Sequence, residues 1–327
     1  MVEHIGIDLG TGTTIVCHPR DGVVHDEPSL LVEWPTARGR ELLLGEAAAA
    51  LEGRTPPNAR VGHPLRNGAV TDLALVRTYL HELVRRTSHG RWRVRRPRAV
   101  LSCAVDASPL ERRALLESAE EAGIGHVDLL EGPLAGALGC GLDLGDPRVQ
   151  AVVDVGAGTA EIAVFCHATV LARRSCRHAG DEMTAALRED LRDRHGLHVS
   201  MRAADALKTR ACTTGEPLTA EGQDVATGRP RVATLEAGEI ESALAPVVRL
   251  AVTSLADSLD DLPVAAVPDL FAGGIVLVGG GSLAPHLRDE LEAAFGFPVK
   301  VPERPRTCVA EGLAMAGGGP GLRARPS

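Results

Sequence analysis

Aromatic side chains are nearly missing: two Trp, one Tyr and four Phe in 327 residues. A core must therefore be filled by Leu, Val, Ile and Ala. Lysine is scarcer still, since Lys208 and Lys300 are the only two, and arginine carries the remaining positive charge. That bias reads as a coding preference and not as a functional signal. The 35 basic residues are outnumbered by 43 acidic ones, and the net charge of -8 removes nucleic acid from the expected partners. The seven cysteines (Cys17, Cys103, Cys140, Cys166, Cys176, Cys212 and Cys308) are odd in number and form no CxxC pair. Neither a disulfide framework nor a zinc site is suggested. No run of about 18 apolar residues occurs, so no membrane span is expected. The opening residues, MVEHIGID, read as a strand and lack the regions of a secretory signal. A cytoplasmic chain is the expectation, and its length predicts two domains of roughly 100–200 residues each.

What is present is a repeat. Residues 5–16 read IGIDLGTGTTIV and residues 151–162 read AVVDVGAGTAEI, at a constant offset of 146. Asp8 matches Asp154, Gly10 matches Gly156, Gly12 matches Gly158 and Thr13 matches Thr159. Each copy is an apolar strand, an Asp-x-Gly-x-Gly-Thr turn and a second strand-like segment, which predicts a hairpin. A dinucleotide fold needs a strand-to-helix turn there, and no GxxxxGK[ST] motif occurs anywhere. Glycines let backbone N–H groups approach phosphate oxygens, and successive N–H groups form an anion-binding concavity. An Asp at the strand end can hold Mg²⁺ through water. One copy alone reads equally as a tight hairpin with an incidental Asp; two copies in register favour a pair of phosphate loops.

A third cluster, Gly279-Gly280-Gly281-Ser282, follows the buried-strand run Ile275-Val276-Leu277-Val278. It precedes Leu283-Ala284-Pro285-His286-Leu287, which reads as the start of a helix whose N-terminus suits a phosphate or ribose edge. Elsewhere, Ser108-Pro109-Leu110-Glu111 predicts a capping box with Pro at the first helical position, and Gly123 closes that helix. Met183, Leu187 and Leu191 form a helical stripe. The tail GGGPGLRARPS reads as frayed.

With these turns in view, the chain resembles the actin-like ATPase superfamily and, within it, the MreB proteins of bacterial cell shape. The narrower resemblance rests on Gly53-Arg54-Thr55-Pro56, Pro64-Leu65-Arg66-Asn67-Gly68-Ala69-Val70, Arg96-Pro97-Arg98-Ala99-Val100 and Glu111-Arg112-Arg113-Ala114 through Glu120-Glu121-Ala122-Gly123. It continues in Gly180-Asp181-Glu182-Met183, Thr227-Gly228-Arg229-Pro230 and Thr307-Cys308-Val309-Ala310, and runs from about residue 4 to about residue 316. It implies a two-lobed α/β actin-like fold, each lobe a mostly parallel sheet with helices and a small insertion subdomain. Lobe I is expected at 1–146 plus 305–327 with an insertion at about 31–64. Lobe II is expected at 147–304 with an insertion at about 180–245, and the nucleotide cleft lies between the lobes.

The resemblance also implies the site. The first phosphate loop would be Asp8, Gly10, Thr11, Gly12 and Thr13, and the second Asp154, Gly156, Gly158 and Thr159. Gly279, Gly280 and Gly281 would face adenosine, with Gly180, Asp181 and Glu182 near the ribose and Lys208 near the base. Lys208 reads as readily as a surface lysine on a helix. Asp8 and Asp154 would organise Mg²⁺ around ATP or ADP. One position departs from the family: residues 131–139 read EGPLAGALG, where MreB proteins look like Glu-Glu-Pro-Met-Ala-Ala-Ala-Ile-Gly. The carboxylate that positions the attacking water is replaced by Gly132. Ala160 stands where the family has a second Thr, whereas Thr159, a water-holding hydroxyl, remains. Neighbouring helical residues diverge by roughly 100°, so Glu131 is expected to point elsewhere. Weak ATP hydrolysis with intact binding follows.

Residues 85–98, RRTSHGRWRVRRPR, hold seven arginines around Trp92 and Val94. In MreB proteins the corresponding loop inserts into the inner leaflet, and a Trp flanked by guanidinium groups suits that interface. A solvated basic loop is the plain alternative. The family's N-terminal amphipathic helix is expected to be absent. The implied partners are copies of the chain in a filament, the inner face of the cytoplasmic membrane and, as further candidates, a full-length MreB and wall-synthesis proteins. Two other readings of the same fold are a monomeric ATP-binding adaptor or chaperone-like module, and a phosphotransferase.

Overall fold

The computed structural model describes residues 4–87, 96–211, 216–260 and 262–317. Trp92, Val94 and the tail from residue 318 lie outside the described residues. The chain forms two compact units, Met1–Asp146 with Arg306–Ser327, and Pro147–Pro305.

The first unit opens with the hairpin β1 (His4–Leu9) and β2 (Thr13–His18), extended by β3 (Gly22–Pro28). A small antiparallel sheet of β4 (Leu31–Thr36), β5 (Gly39–Leu44) and β6 (Arg60–Gly62) follows, with helix α1 (Gly45–Ala49) after β5. The two-stranded β7 (Leu65–Arg66) and β8 (Ala69–Val70) then lead into α2 (Leu73–Thr87). After it come β9 (Arg98–Cys103), α3 (Pro109–Glu121), β10 (His126–Glu131) and α4 (Gly132–Gly139). The main sheet has the order β10-β9-β1-β2-β3, with β1 antiparallel to β2 and parallel to β9.

Sequence alternation fixes which way this sheet faces. Ile5, Ile7, Leu9 and Val16 turn to one side, where Tyr79, Leu80 and Leu83 of α2 and Leu115 and Ala119 of α3 cover them. Ile15 and Cys17 turn to the other side, against Ala310 and Ala314 of the chain's closing helix. That helix lies directly on β1 because residue 6 is glycine: a Cβ there would land on the Ala310 carbonyl and the Ala314 amide. The predicted capping box is formed, with Ser108 Oγ accepting from the Glu111 N–H and the Glu111 carboxylate accepting from the Ser108 N–H.

The second unit repeats the plan. β11 (Gln150–Val155), β12 (Ala160–Cys166) and β13 (Thr169–Cys176) form an antiparallel meander. α5 (Gly180–His195), β14 (Leu197–His198), α6 (Met201–Ala211), β15 (Leu218–Asp224), β16 (Pro230–Leu235), α7 (Ala237–Ala256) and α8 (Val267–Gly273) follow. β17 (Ile275–Val278), α9 (Leu287–Phe295) and β18 (Val299–Lys300) complete it, and α10 (Cys308–Ala316) returns to the first unit. The main sheet order β13-β12-β11-β17-β18 is that of the first unit strand for strand, with β11 again antiparallel to its hairpin partner and parallel to the strand on its other side. The predicted stripe Met183, Leu187 and Leu191 is buried against this sheet with Val248, Val252 and Leu255 of α7. The repeat read in two short segments is thus the visible part of a repeated sheet.

Candidate functional site

Both predicted hairpins form, and they close in the same way. The Gly10 N–H donates to the Thr13 carbonyl at 3.1 Å, and the Gly156 N–H donates to the Thr159 carbonyl at 2.8 Å. Gly10 is required by this closure, since a Cβ there would lie 2.6 Å from the Thr13 carbonyl oxygen.

In the first unit the turn is clamped from behind by Ser29. Its hydroxyl donates to the Gly10 carbonyl at 2.7 Å, and its N–H donates to the Gly12 carbonyl at 2.9 Å. A trans peptide points its N–H opposite to its C=O. Holding these two carbonyls toward Ser29 therefore turns the amides of Thr11 and Thr13 the other way. Ser29 is itself held: Thr14 lies 2.8 Å from its hydroxyl, and the Tyr79 hydroxyl donates to Thr14 at 2.9 Å. Because the Ser29 proton goes to Gly10, Thr14 donates to Ser29, and the buried chain Tyr79, Thr14, Ser29 ends on the Gly10 carbonyl. On the other flank, the Asn67-Gly68 turn reaches Thr11, whose hydroxyl accepts the Gly68 N–H at 3.1 Å.

Asp8 lies at the end of β1 beside this turn. Burial raises its carboxyl from the ordinary 3.8 to about 6, while the Ser102 hydroxyl donating to it pulls the other way. Ser102 Oγ in turn accepts the Leu9 N–H at 3.1 Å. A desolvated carboxyl of this kind is neutralised either by a proton or by a cation.

In the second unit the clamp is a helix N-terminus. The Gly180 N–H donates to the Gly156 carbonyl at 3.1 Å and the Asp181 N–H to the Ala157 carbonyl at 2.7 Å. By the same peptide geometry, the amides of Ala157 and Gly158 face away from α5. Lys208 braces the clamp. Its ammonium donates to the Gly180 carbonyl at 2.8 Å and to Thr184 Oγ1 at 2.7 Å, and pairs with Asp205 at 2.8 Å. With a side chain 14% exposed, it is not the surface lysine of the alternative reading. Glu182 pairs with His178 at 2.7 Å.

The third glycine turn joins this unit's hairpin. A Cβ on Gly279, whose φ is +86°, would land on Asp154 Oδ1 and the Val155 carbonyl, and one on Gly281 would lie 2.5 Å from Val155 Cγ1. Glycine here lets the turn sit on the end of β11. The expected helix start at Leu283 is corrected: Gly280–Leu283 is one 3-10 turn, Ala284 is extended, and α9 begins only at Leu287. Pro285 explains the delay, because the residue before proline is driven out of the helical region.

One carboxylate went unnoticed in the sequence. Glu161 is buried on β12, directly across from Asp154 in the ladder, with Ser175 across from it on β13 and donating at 3.5 Å. Strand register was the signal that could have found it. Among the described residues, no group of three or more His, Cys, Asp or Glu is arranged to hold a metal ion.

Gly132 is the first residue of α4, buried and followed by Pro133. Glu131 before it is also buried, and Arg112 of α3 holds its Oε1 at 2.7 Å.

Twin sheets of identical strand order, each carrying a glycine hairpin with its carbonyls pinned behind the turn, define an actin-like class of protein. Solved structures agree: MreB5 of Spiroplasma citri bound to AMPPNP superposes with a TM-score of 0.87 at 25% identity, covering 96% of both chains. A MamK double helical filament shares the fold at a TM-score of 0.77 and 22% identity, covering 97% of this chain and 99% of that one. The MreB/Mbl protein family matches residues 2–318. The cell shape-determining protein Mbl of Bacillus subtilis is 31% identical over 316 residues, 95% of this chain and 94% of that protein. MreB of Escherichia coli is 32% identical over 320 residues, 95% of this chain and 92% of that protein. The chain belongs to the MreB/Mbl family of cell shape-determining actin homologues. No helix among the described residues is long and apolar enough to cross a membrane.

Proposed function

We propose that this chain binds ATP or ADP with Mg²⁺, hydrolyses ATP weakly, and assembles into filaments at the inner face of the membrane that guide wall synthesis and cell shape. The observation that carries the nucleotide reading is the pinning of turn carbonyls in both hairpins. It leaves the amides of Thr11, Thr13, Ala157 and Gly158 aimed away from their supports, the arrangement an oxyanion chain requires. Spiroplasma citri MreB5, solved with AMPPNP and with ADP, supports the same ligand class.

The residues fit the ion as well. Asp8 is desolvated enough to favour a cationic partner, and Asp154 sits against Gly279, where no side chain intrudes. These two carboxylates would hold Mg²⁺ through water, and the ion would neutralise phosphate charge. Gly180, Asp181 and Lys208 act by fixing the second hairpin, and Gly279, Gly280 and Gly281 provide a surface without side chains for the nucleoside. Thr159 is the remaining water-holding hydroxyl. Gly132 supplies no carboxylate, and Glu131 is tied to Arg112. General base catalysis contributes roughly 10²–10⁴-fold, so hydrolysis falls by a comparable factor while binding survives.

The test is a titration of the full chain with ATP and with ADP, with and without Mg²⁺, and with turnover measured in the same samples. Saturable Mg²⁺-dependent binding with very slow phosphate release supports the reading. Absence of binding overturns it, and turnover at the rate of an ordinary MreB overturns its hydrolytic half. Sedimentation with and without ATP separates filament from monomeric adaptor, and an acceptor screen for phosphoryl transfer tests the phosphotransferase reading.

A further inference from the structure

Helices α4 and α10 of the first unit touch backbone to backbone. A Cβ on Gly139 would land on the Cys308 carbonyl and lie 3.0 Å from Cys308 Cα, and one on Gly312 would land on the Ala135 carbonyl. Small residues at these crossings bring together two cysteines that lie far apart in the chain. Cys140 caps the C-terminus of α4, and Cys308 is the first residue of α10. Both are free thiols, Cys140 partly exposed and Cys308 buried at 3% exposure. The two thiols are hydrogen-bonded to each other.

We propose that Cys140 and Cys308 form a dithiol site that a peroxide oxidises to an intramolecular disulfide, with Cys140 reacting first and Cys308 resolving. The Cys140 thiolate attacks one peroxide oxygen, so that an S–O bond forms, the O–O bond breaks, and the departing hydroxide takes up a proton as water. The Cys308 sulfur, giving up its proton, then attacks the Cys140 sulfur. An S–S bond forms, the S–O bond breaks, and a second water leaves. Two thiols are oxidised and one peroxide is reduced to two waters, so no other reactant is required.

Three features support this order. Cys140 is the partner that solvent reaches. The hydrogen bond from Cys308 draws the Cys140 thiol below its ordinary pKa, against burial and the nearby Glu311 carboxylate, and the thiolate is the nucleophile. Cys308 stands at a helix N-terminus, where the backbone dipole favours the thiolate needed for the second step. A resolving thiol in direct contact also protects the sulfenic acid from over-oxidation. The bond would join residues on either side of the excursion Pro147–Pro305, closing the whole second unit into one covalent ring.

The experiment treats the full chain with dilute hydrogen peroxide, quenches with dimedone and an alkylating agent, and maps peptides without reduction. The expected result is one Cys140–Cys308 linked peptide, two of the seven thiols lost, and faster migration on a non-reducing gel that dithiothreitol reverses. Cys308→Ser is expected to accumulate a dimedone adduct on Cys140, and Cys140→Ser to leave Cys308 alkylatable. The wild-type map alone decides the matter if either variant fails to fold. Cys140 recovered as a free thiol or a dimedone adduct in the wild-type chain, or a disulfide between other cysteines, overturns the proposal.

Discussion

Arg112 of α3 holds Glu131 by a 2.7 Å ion pair across the start of α4, immediately beside Gly132, the glycine proposed to stand in place of a water-positioning carboxylate. The pair makes Gly132 a clean site for restoring function. Gly132→Glu is expected to raise ATP turnover by roughly 10²–10⁴-fold, with little change in nucleotide affinity. Glu131→Gln is expected to leave turnover where it is and to cost about 1–3 kcal/mol of stability, because the half-buried Arg112 guanidinium loses its charged hydrogen-bond acceptor. Phosphate-release assays and thermal melts on both variants check this. A silent Gly132→Glu removes the proposed cause of weak hydrolysis.

Ser29 is the mechanical support of the first hairpin, and its removal separates support from contact. Ser29→Ala deletes the hydroxyl on the Gly10 carbonyl but keeps the backbone bond to Gly12. Stability is expected to fall by about 1–3 kcal/mol and nucleotide affinity by about tenfold, since the Thr11 amide is no longer held in place. Thr14→Ser retains a hydroxyl in the chain and should change affinity far less. Calorimetric titration measures both, and equal effects from the two variants would deny Ser29 this role.

Asp8 makes the ligand-free chain sensitive to mild acid in an unusual direction. Its folded pKa of about 6 lies above the ordinary 3.8, so the folded state binds the proton more tightly than the unfolded one. The contribution is fully present below about pH 4 and is lost as pH rises through about 6, at a cost of up to about 3 kcal/mol. Asp8→Asn should flatten that slope and be the more stable protein at pH 7 without ligand, yet bind nucleotide with Mg²⁺ more weakly. Melting curves from pH 4 to about pH 7.5 decide it, and parallel profiles for the two proteins would rule out a desolvated Asp8 carboxyl.

The fold was legible where local chemistry and tertiary packing agree. The Asp-x-Gly-x-Gly-Thr turns, the Ser108 capping box and the Met183 stripe each specify one local structure, and each formed. The supports behind the turns were not legible. Ser29 is 19 residues from Gly10, and Gly180 is 24 residues from Gly156, and nothing local marks either as a clamp. Lys208 was visible as one of two lysines, with Asp205 one turn away on its own helix, but Gly180 and Thr184 reach it only through the packing of α5 on α6. Glu161 sat in plain view as part of a strand, because a carboxylate's neighbour across a ladder depends on register. The delayed start of α9 was readable in principle from Pro285, where the glycine run suggested an earlier helix.

The basic segment is testable without any structural premise. Trp92→Ala should abolish sedimentation with vesicles containing anionic lipid, and binding by the wild-type chain should weaken as salt rises. Arg85 and Arg86 both pair with Glu82, so Glu82→Gln removes a negative charge beside the segment and is expected to strengthen vesicle binding. Unchanged binding by Trp92→Ala removes the segment from the membrane reading.

Glycine positions give opposite outcomes that a sequence alone would treat alike. At Gly279 an alanine is strained twice, by a φ of +86° and by collision with Asp154 and the Val155 carbonyl. Gly279→Ala should cost about 2–4 kcal/mol and remove nucleotide binding, because Asp154 and the turn must move apart. At Gly238, in the first turn of α7, a Cβ meets nothing within 4 Å. Gly238→Ala should stabilise by about 0.4–1 kcal/mol by restricting the unfolded chain, and leave binding unchanged. Chemical denaturation of the two variants beside the wild-type chain reads the contrast directly. If Gly279→Ala proved as stable as Gly238→Ala and still bound nucleotide, the close seating of the third glycine turn on β11 could not be correct.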